Sequence, residues 1–439
     1  MSASKFGLAQ CALLAALGVF AGGMSTAKAA DLGGDCCADL EERIAELEAT
    51  TARKGNRKVS LTITGWVNEA VFFWDDGTEQ NVYVGTNSLE QSRVKFTGDA
   101  KINGDWSAGY TLELGINGHA SNKWDQNNIG SSSDGSISVR KSNWFLKSKT
   151  LGKLTVGLDG TATYHLLDDA DGVNTRNYSD VQAAAVAQGA FLLRSGGAFI
   201  SNGTSNLRWS GILAGVDNGT VGQNGRRNIV RYDTPQFAGF VGTASWGEDD
   251  MWGVALTYKN TLGDFKVVGK IGYEHNADEG VSACNKLKTG MDCEWWGTAA
   301  TIQHAPTGLY VYGGYAEQVD NTASLPVTAD DTSTLWFVQG GIEQKFIDLG
   351  KTTIFGEYRK DNAGSRTDSS FGVGNNPVGF VQDSNLKFWA AGVVQNIDAA
   401  AMDLYLIYRH ADGSTTNSVG DTLDLDAFDM VMTGARIQF

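Results

Sequence analysis

From residue 59 to residue 439, apolar and polar residues alternate with a period of two in segments of roughly 9–14 residues. In the first segment, Val59, Leu61 and Ile63 alternate with Ser60 and Thr62. This period places successive side chains on opposite faces of a β-strand. The pattern predicts an all-β chain with sixteen strands, at 59–74, 88–101, 105–117, 136–149, 152–159, 227–235, 237–247, 250–260, 264–275, 294–304, 308–319, 334–346, 350–361, 385–397, 401–411 and 427–439.

The connections between these segments alternate in length. Short turns, such as 103–105, 261–264 and 398–400, follow the even-numbered strands. Long polar segments follow the odd-numbered strands, at 75–87, 118–135, 160–226, 276–293, 320–333, 362–384 and 412–426, and only 248–249 is short. A soluble sandwich has no reason to alternate in this way, whereas a transmembrane barrel has tight turns at one rim and long loops at the other. An even number of strands also returns both termini to the same side of the membrane.

The two faces of the predicted strands differ in polarity. Arg93 and Lys95 share one face of their strand, and Val94 and Phe96 share the other. This contrast is typical of a barrel with lipid outside and water inside. We therefore predict a 16-stranded antiparallel transmembrane β-barrel over 59–439. Aromatic residues near strand ends are expected to form interfacial girdles, namely Trp66, Trp74, Tyr110, Trp144, Trp246, Tyr258, Tyr273, Trp389 and Tyr408.

The first 58 residues do not follow the strand pattern. Residues 1–29 have a positive Lys5, an apolar run and a small-x-small site at 27–29, which is typical of an export signal peptide. Residues 30–58 form a predicted periplasmic segment with one short helix at 39–49. Leu40, Ile44 and Leu47 fall on one apolar seam of this helix. Two heptads are too short to stand alone, so the seam predicts a coiled coil between subunits; the alternative is a frayed helix packed on the barrel.

Export makes the cysteines interpretable. Cys284 and Cys293 lie in one polar, glycine-containing segment, which suits a loop-closing disulfide in an oxidising compartment. Cys36 and Cys37 are adjacent and could cross-link neighbouring subunits.

Composition excludes several other classes. The chain has 439 residues with 55 Gly and only 4 Pro, which fits strands with intact hydrogen-bond ladders rather than collagen. A formal charge of −15 argues against nucleic acid as a partner. The five histidines are scattered through the sequence and predict neither a catalytic triad nor a metal site. We expect no enzyme activity and no cofactor.

Three stretches carry a resemblance to a known family. They are ADLGGDCCADLEERIAELEATTARKGNRKVSLTITGWVNEAV at the expected mature start, RRNIVRYDTPQFAGFVGTASWGEDDMWGVALTYKN in the centre, and MTGARIQF at the end. The sequence resembles the alphaproteobacterial general porins, the rhizobial and Brucella-type group of sixteen-stranded trimeric outer-membrane channels. The resemblance spans the mature chain. It implies a homotrimer that forms a passive diffusion pore for small hydrophilic solutes and ions.

In porins the third loop folds into the lumen and narrows it, and segment 160–226 occupies the matching place. On this comparison the loop acids Asp168, Asp169, Asp171 and Asp180 supply negative charge at the constriction. The expected wall cations opposite them are Arg93, Lys95, Arg359, Arg409 and Arg436. Acids facing bases would set a transverse field across the pore. The alternative for these acids is a solvated outside loop.

The family resemblance also implies several partners. The terminal Phe439 matches the aromatic end that barrels present to the outer-membrane assembly machinery, and Ala30-Asp31 resembles the start of family members joined to peptidoglycan. Outer-membrane lipid and lipopolysaccharide are the expected surroundings. Two alternative functions remain open, a substrate-specific outer-membrane channel and a structural tether to peptidoglycan.

Overall fold

The computed structural model describes residues 58–128, 135–173, 175–180, 189–201, 206–213, 225–248, 250–277, 292–323, 325–366, 370–372 and 378–439. Nineteen strands lie in these ranges: β1 (Thr62–Asp75), β2 (Gln80–Thr86), β3 (Arg93–Lys101), β4 (Trp106–Asn117), β5 (Ser136–Ser148), β6 (Gly152–Gly160), β7 (Arg194–Ser195), β8 (Ala198–Phe199), β9 (Arg226–Asp233), β10 (Phe240–Gly247), β11 (Met251–Leu262), β12 (Phe265–Asn276), β13 (Cys293–His304), β14 (Leu309–Asp320), β15 (Thr332–Ile347), β16 (Gly350–Ala363), β17 (Val381–Ile397), β18 (Met402–Asn417) and β19 (Thr422–Gln438). One helical turn, α1, spans Trp209–Ile212.

Seventeen of the strands form one closed antiparallel sheet, and β7 and β8 form a separate hairpin. The sheet closes because β1 pairs with β19 from Trp66–Gln438 to Asp75–Asp429. Phe439 extends this closure, since its amide donates to the Gly65 carbonyl at 3.0 Å and its own carbonyl accepts from the Gly65 amide at 2.9 Å. Closure pairs the two ends of the sheet with each other, as a strand structure in lipid requires.

The seventeen strands fill sixteen positions around the wall, as the sequence predicted. Strands β2 and β3 share one position, because β2 pairs with the second half of β1 and β3 pairs with its first half. A short 3-10 turn at Ser88–Glu90 separates them. The prediction of a long loop at 75–87 is therefore wrong: only 76–79 turn, and the polar, glycine-containing segment Gln80–Thr86 is a strand.

The prediction of a long loop at 412–426 is also wrong. Strands β18 and β19 continue through it and turn only at 418–421. Their paired extension from Gly413–Leu425 to Thr416–Thr422 consists mainly of polar residues. An apolar period is required only where one face meets lipid, so a strand that projects beyond the membrane does not show it.

The exposed face of the wall is apolar. Large hydrophobic side chains such as Val67, Ile137 and Ile354 have 52%, 73% and 50% of their surface exposed. On the outer face, aromatic rings of neighbouring strands pair and form a girdle. Their centroids are 5.4 Å apart for Trp252–Tyr273, 5.1 Å for Trp296–Tyr315, 5.3 Å for Trp336–Tyr358 and 5.0 Å for Trp389–Tyr408. Such belts are typical of the membrane–water boundary.

Two predicted girdle residues lie on the other face. Trp74 is only 3% exposed and packs against Phe191 with ring centroids 5.1 Å apart. Trp66 lies beneath Arg93, whose guanidinium carbon is 4.4 Å from the ring centroid. Trp74 has an apolar partner inside the barrel because it faces an internal segment of chain. Trp66 instead lies on the inner face against the arginines Arg93 and Arg436 of the neighbouring strands.

Several predictions concern residues outside the described ranges: the signal peptide, the helix with Leu40, Ile44 and Leu47, the Ala30-Asp31 start, Cys36, Cys37 and Cys284. Cys293 begins β13 and is buried, and its predicted pairing with Cys284 stays a prediction. In the described part of the chain, no α-helix has the length and hydropathy of a membrane span.

Candidate functional site

Residues 161–225 connect β6 to β9. We call this connection the inward segment, because its described parts contact the inner face of the wall. At its start the Ala162 amide donates to the Ser245 hydroxyl at 2.8 Å. Farther around the barrel, the Tyr312 hydroxyl donates to the Leu167 carbonyl at 2.7 Å. These contacts lead the chain from β10 to β14 along the interior.

The next part of the inward segment reaches the opposite side of the wall. The Thr175 hydroxyl lies 2.9 Å from Oε1 of Gln339 on β15, and the Ser179 hydroxyl donates to Oε1 of Glu357 on β16 at 2.6 Å. Arg409 on β18 donates to the Ser179 carbonyl and lies 3.2 Å from Glu357 Oε1. The segment is therefore fastened by polar contacts on strands that are distant in sequence.

The last described part of the inward segment returns toward β1. Arg194 pairs with Asp76 in the β1–β2 turn, with Nε 2.7 Å from Oδ2, and with Glu79 at 2.9 Å. Phe191 and Trp209 are 2% and 1% exposed, and both pack against Phe428 of β19. An apolar core consequently lies inside the barrel, between this segment and the wall. The sequence pattern does not predict this core, because the alternation of polar and apolar residues implies a wholly polar lining.

The predicted acids Asp168 and Asp169 lie in a short turn of this segment. Asp168 is 1% exposed; its Oδ2 is 2.5 Å from His165 Nδ1 and 3.3 Å from Arg176 Nε. Asp169 contacts Arg176 and also Lys270 of β12, whose Nζ is 3.2 Å from Oδ2. These acids are thus paired with a cation of their own segment and with one wall lysine.

Asp171 is held by the turn that follows it. Its two carboxylate oxygens accept hydrogen bonds from the amides of Val173, Thr175 and Arg176 at 2.8, 3.0 and 2.8 Å, and from the Thr175 hydroxyl at 2.9 Å. Asp180 is 6% exposed and adopts a left-handed backbone with φ of 53°. Asp180 also interacts electrostatically with Arg409.

Burial and pairing move the pKa values of these acids in opposite directions. Burial would raise the pKa of Asp168, but the neighbouring Arg176 and His165 outweigh it and hold this pKa well below its usual value. For Asp171, burial dominates over its hydrogen bonds and raises the pKa to about 6. Of the two carboxylates, only Asp171 therefore changes charge near neutral pH.

The predicted wall cations also lie on the inner face, and four of them have acidic neighbours. Arg359 pairs with Asp361, Arg409 with Glu357, and Arg436 Nη2 lies 3.0 Å from Asp403 Oδ2. Arg93 is 2.6 Å from Glu90 and 3.3 Å from Glu113. Lys95 shares the Arg93 face of β3, because the two are separated by one residue.

Several cations near the predicted acids were not predicted from the sequence, among them Arg176, Lys270 and Arg140. Arg176 belongs to the segment itself, and Lys270 shows its role only through its contact with Asp169. The pairing of β4 and β5 shifts at Arg140, because Glu113 is opposite Lys141 and Leu114 is opposite Val139. The Nε of Arg140 lies 2.8 Å from Glu113 Oε1. A β-bulge places an extra residue against one partner residue, so the strict two-residue period did not predict that Arg140 joins the inner cluster.

Within the described ranges, no group of three or more His, Cys, Asp or Glu side chains could hold a metal ion. The arrangement is instead a segment of chain laid along the inside of a barrel, with paired acids and bases on both surfaces.

Comparison with known proteins agrees with this architecture. The model of the Gram-negative porin family matches residues 12–416. The anion-selective porin from Comamonas acidovorans superimposes with a TM-score of 0.55 at 16% identity, covering 87% of this chain and 100% of that one. OmpT expressed in the outer membrane of Vibrio cholerae superimposes with a TM-score of 0.52 at 14% identity, covering 88% of this chain and 99% of that one. No curated protein matches the sequence. Because the family model covers most of the chain, this protein belongs to the Gram-negative porin family.

Proposed function

We propose that this outer-membrane diffusion channel is a general pore whose narrowest part lies between the inward segment and the barrel wall. The observation that carries the proposal is the row of contacts from Ala162 to Arg194, which fastens the segment inside the barrel on β10, β14, β16, β18 and the β1–β2 turn. A long connection fixed in this way reduces the open cross-section through which water and solutes pass.

The charges support a transverse field at this level of the pore. Asp169 and Asp171 border a cavity on the side of the inward segment, and Lys259, Lys266 and Lys270 of β11 and β12 border it on the wall side. Across the barrel, Arg93 and Arg140 on β3 and β5 are paired with Glu90 and Glu113, so the field is set by the acids and lysines that face each other at the cavity. Polar solutes can orient in such a field, whereas apolar solutes gain nothing from it. The charges at the pore, rather than the net charge of the chain, would then set ion preference.

Conductance and solute flux test the proposal. Purified protein in planar bilayers should give stepwise conductance, and proteoliposomes should swell in neutral sugars at rates that fall smoothly with solute size. Flux that saturates for one sugar and not for others of equal size would favour the substrate-specific channel. Absence of any conductance would overturn the pore and favour a structural role. The proposal assigns no catalytic role to the chain.

We also propose that the chain assembles as a homotrimer through β1–β5. The aromatic pairs of the outer girdle lie on β11–β18. Of the exposed large hydrophobic side chains on β1–β5, all except Trp144 are aliphatic, and they include Val67, Val84, Ile137 and Val139. A face without paired interfacial aromatics suits contact with another subunit, because such a face does not meet the lipid headgroups.

The N-terminal region carries further predicted features, as does the resemblance to one subgroup of porins. We propose export by signal peptide 1–29, a helical periplasmic segment at 30–58, and membership of the alphaproteobacterial general porins. Attachment of peptidoglycan to Ala30 is tested by mass spectrometry of muramidase-digested envelopes. A stem peptide on Ala30 supports the tether, and an entirely free Ala30 amine contradicts it.

A further inference from the structure

A cavity of about 760 Å³ lies between the inward segment and the inner wall of β11–β13. Asp169, Asp171 and Gly172 form its boundary on the segment side. On the wall side, three lysines line it together with the polar side chains of Thr257 and Gln303; the lysines are Lys259, Lys266 and Lys270. Its lining extends to Asn260 and Thr261, close to the Gly263–Asp264 turn at the rim of short turns.

The strand register brings the three lysines together. Lys259 on β11 is directly opposite Val268 on β12. Lys266 and Lys270 are two residues before and after Val268, so they are the diagonal neighbours of Lys259 on the same face. Diagonal neighbours in an antiparallel pair are about 7–8 Å apart, which long side chains can bridge. Three ammonium groups can therefore converge on one small anion.

The acids at the boundary do not neutralise this cluster. Asp171 directs its oxygens to the amides of its own turn, and Asp169 is shared between Arg176 and Lys270. Among the described residues, Lys259 and Lys266 form no salt bridge. The polar contact of Lys266 is the side-chain carbonyl of Gln303, at 3.4 Å. Two of the three positive charges thus lack an opposite charge.

Repulsion among clustered ammonium groups is relieved by a bound anion. Each ammonium has three hydrogens to donate and no acceptor, so the cluster suits an oxyanion with several acceptor oxygens. The Thr257 hydroxyl lies in the same cavity and can complete its coordination. Chloride has one charge and no oxygen, and it matches this donor set less well.

We propose that Lys259, Lys266 and Lys270 form a binding subsite for a small multiply charged oxyanion of the phosphate type, between the inward segment and the short-turn rim of the channel. This inference rests on the proposed pore, since the anion reaches the cavity through the lumen. The channel then contains a saturable binding site for phosphate, in addition to the path for simple diffusion.

Inorganic phosphate is the probe, and two measurements separate the subsite from the pore. Isothermal titration calorimetry of the detergent-solubilised protein at low salt should show phosphate binding. Phosphate added to bilayers in KCl should reduce single-channel current in a saturable manner. The variant Lys259→Gln/Lys266→Gln should weaken binding and raise the half-blocking phosphate concentration by at least about tenfold, because it removes two charge-assisted hydrogen bonds.

The matched control is Lys101→Gln/Lys147→Gln, which removes two lysines from the ends of β3 and β5 nearest the same rim. It should change binding and block by less than about twofold, since these positions lie outside the cavity. Equal loss in both double variants, or no phosphate binding by the parent protein, overturns the subsite. Calorimetric binding without any conductance would instead retain the subsite and overturn the proposed pore.

Discussion

The hydroxyl of Tyr178 in the inward segment donates a hydrogen bond to Oδ2 of Asp403 on β18. The two residues are 225 positions apart in sequence, and they are 0% and 4% exposed. Asp403 also pairs with Arg436 of β19, and the Tyr178 ring stacks on Tyr405 with centroids 4.8 Å apart. The inward segment is thus joined to the strands that close the barrel.

Loss of this hydrogen bond should loosen the segment. Tyr178→Phe removes the hydroxyl while the ring remains, and it leaves Asp403 with Arg436. We expect the free energy of unfolding to fall by about 1–3 kcal/mol, as for a hydrogen bond to a charged group, and open-channel current noise to rise. Urea unfolding followed by tryptophan fluorescence and bilayer recordings measure the two effects. Tyr258→Phe is the control, because the Tyr258 ring packs on Phe240 on the outer face; an equal effect in both variants would contradict the account.

The raised pKa of Asp171 leads us to expect that the ion preference of the channel depends on pH. Because its pKa is raised to about 6, its carboxylate is mainly charged at pH 7.5 and mainly neutral at pH 5, estimated from that pKa. Acidification removes a negative charge from the pore, so the reversal potential in a KCl gradient should shift toward anions. Asp171→Asn should show the shifted value already at neutral pH and a flatter pH profile.

A second carboxylate provides the control for this titration. A hydrogen bond from Ser148 lowers the pKa of Asp105, which lies in the β3–β4 turn, so Asp105 keeps its charge over the same interval. Asp105→Asn should preserve the pH-dependent shift of the parent protein. If Asp171→Asn retains the full shift, another group is responsible and the assignment to Asp171 is wrong.

The proposed subunit interface predicts a difference between two faces of the barrel. Ile137→Ser/Val139→Ser removes packing on β5, and we expect self-association to weaken by at least about tenfold, or about 1.4 kcal/mol. Light scattering coupled to size-exclusion chromatography in detergent measures the change. The control Val338→Ser/Ile354→Ser alters two exposed aliphatic side chains on β15 and β16, the strands that carry paired aromatic rings, and should leave the oligomer intact. A monomeric parent protein would contradict the interface directly.

The wall was predictable from sequence because lipid imposes a simple rule on it. Segments such as 105–117 and 264–275 match β4 and β12 within one residue, since an apolar outer face and a tight turn specify both face and register. The rule does not apply beyond the membrane. Gln80–Thr86 and the outer ends of β18 and β19 were therefore predicted as loops although they are paired strands.

The site was predictable only in part, because its pairings are tertiary. The acids at 168–171 lie inside the barrel on the inward segment, but their partners Arg176 and Lys270 are set by how that segment lies on the wall. A local pattern contains no such information. The bulge at Arg140 shows the same limit, since one inserted residue changes the face that the two-residue period predicts.

Chemical modification of Asp169→Cys tests most directly whether the inward segment lines the conducting path. Asp169 lies on that segment beside β12, with 39% of its side chain exposed. Val327 is 104% exposed between β14 and β15, so Val327→Cys is the control for labelling outside the pore. The account predicts that a bulky charged thiol reagent lowers single-channel conductance of Asp169→Cys and leaves that of Val327→Cys unchanged. Complete labelling of Asp169→Cys, verified by mass spectrometry, with no change in conductance would contradict it.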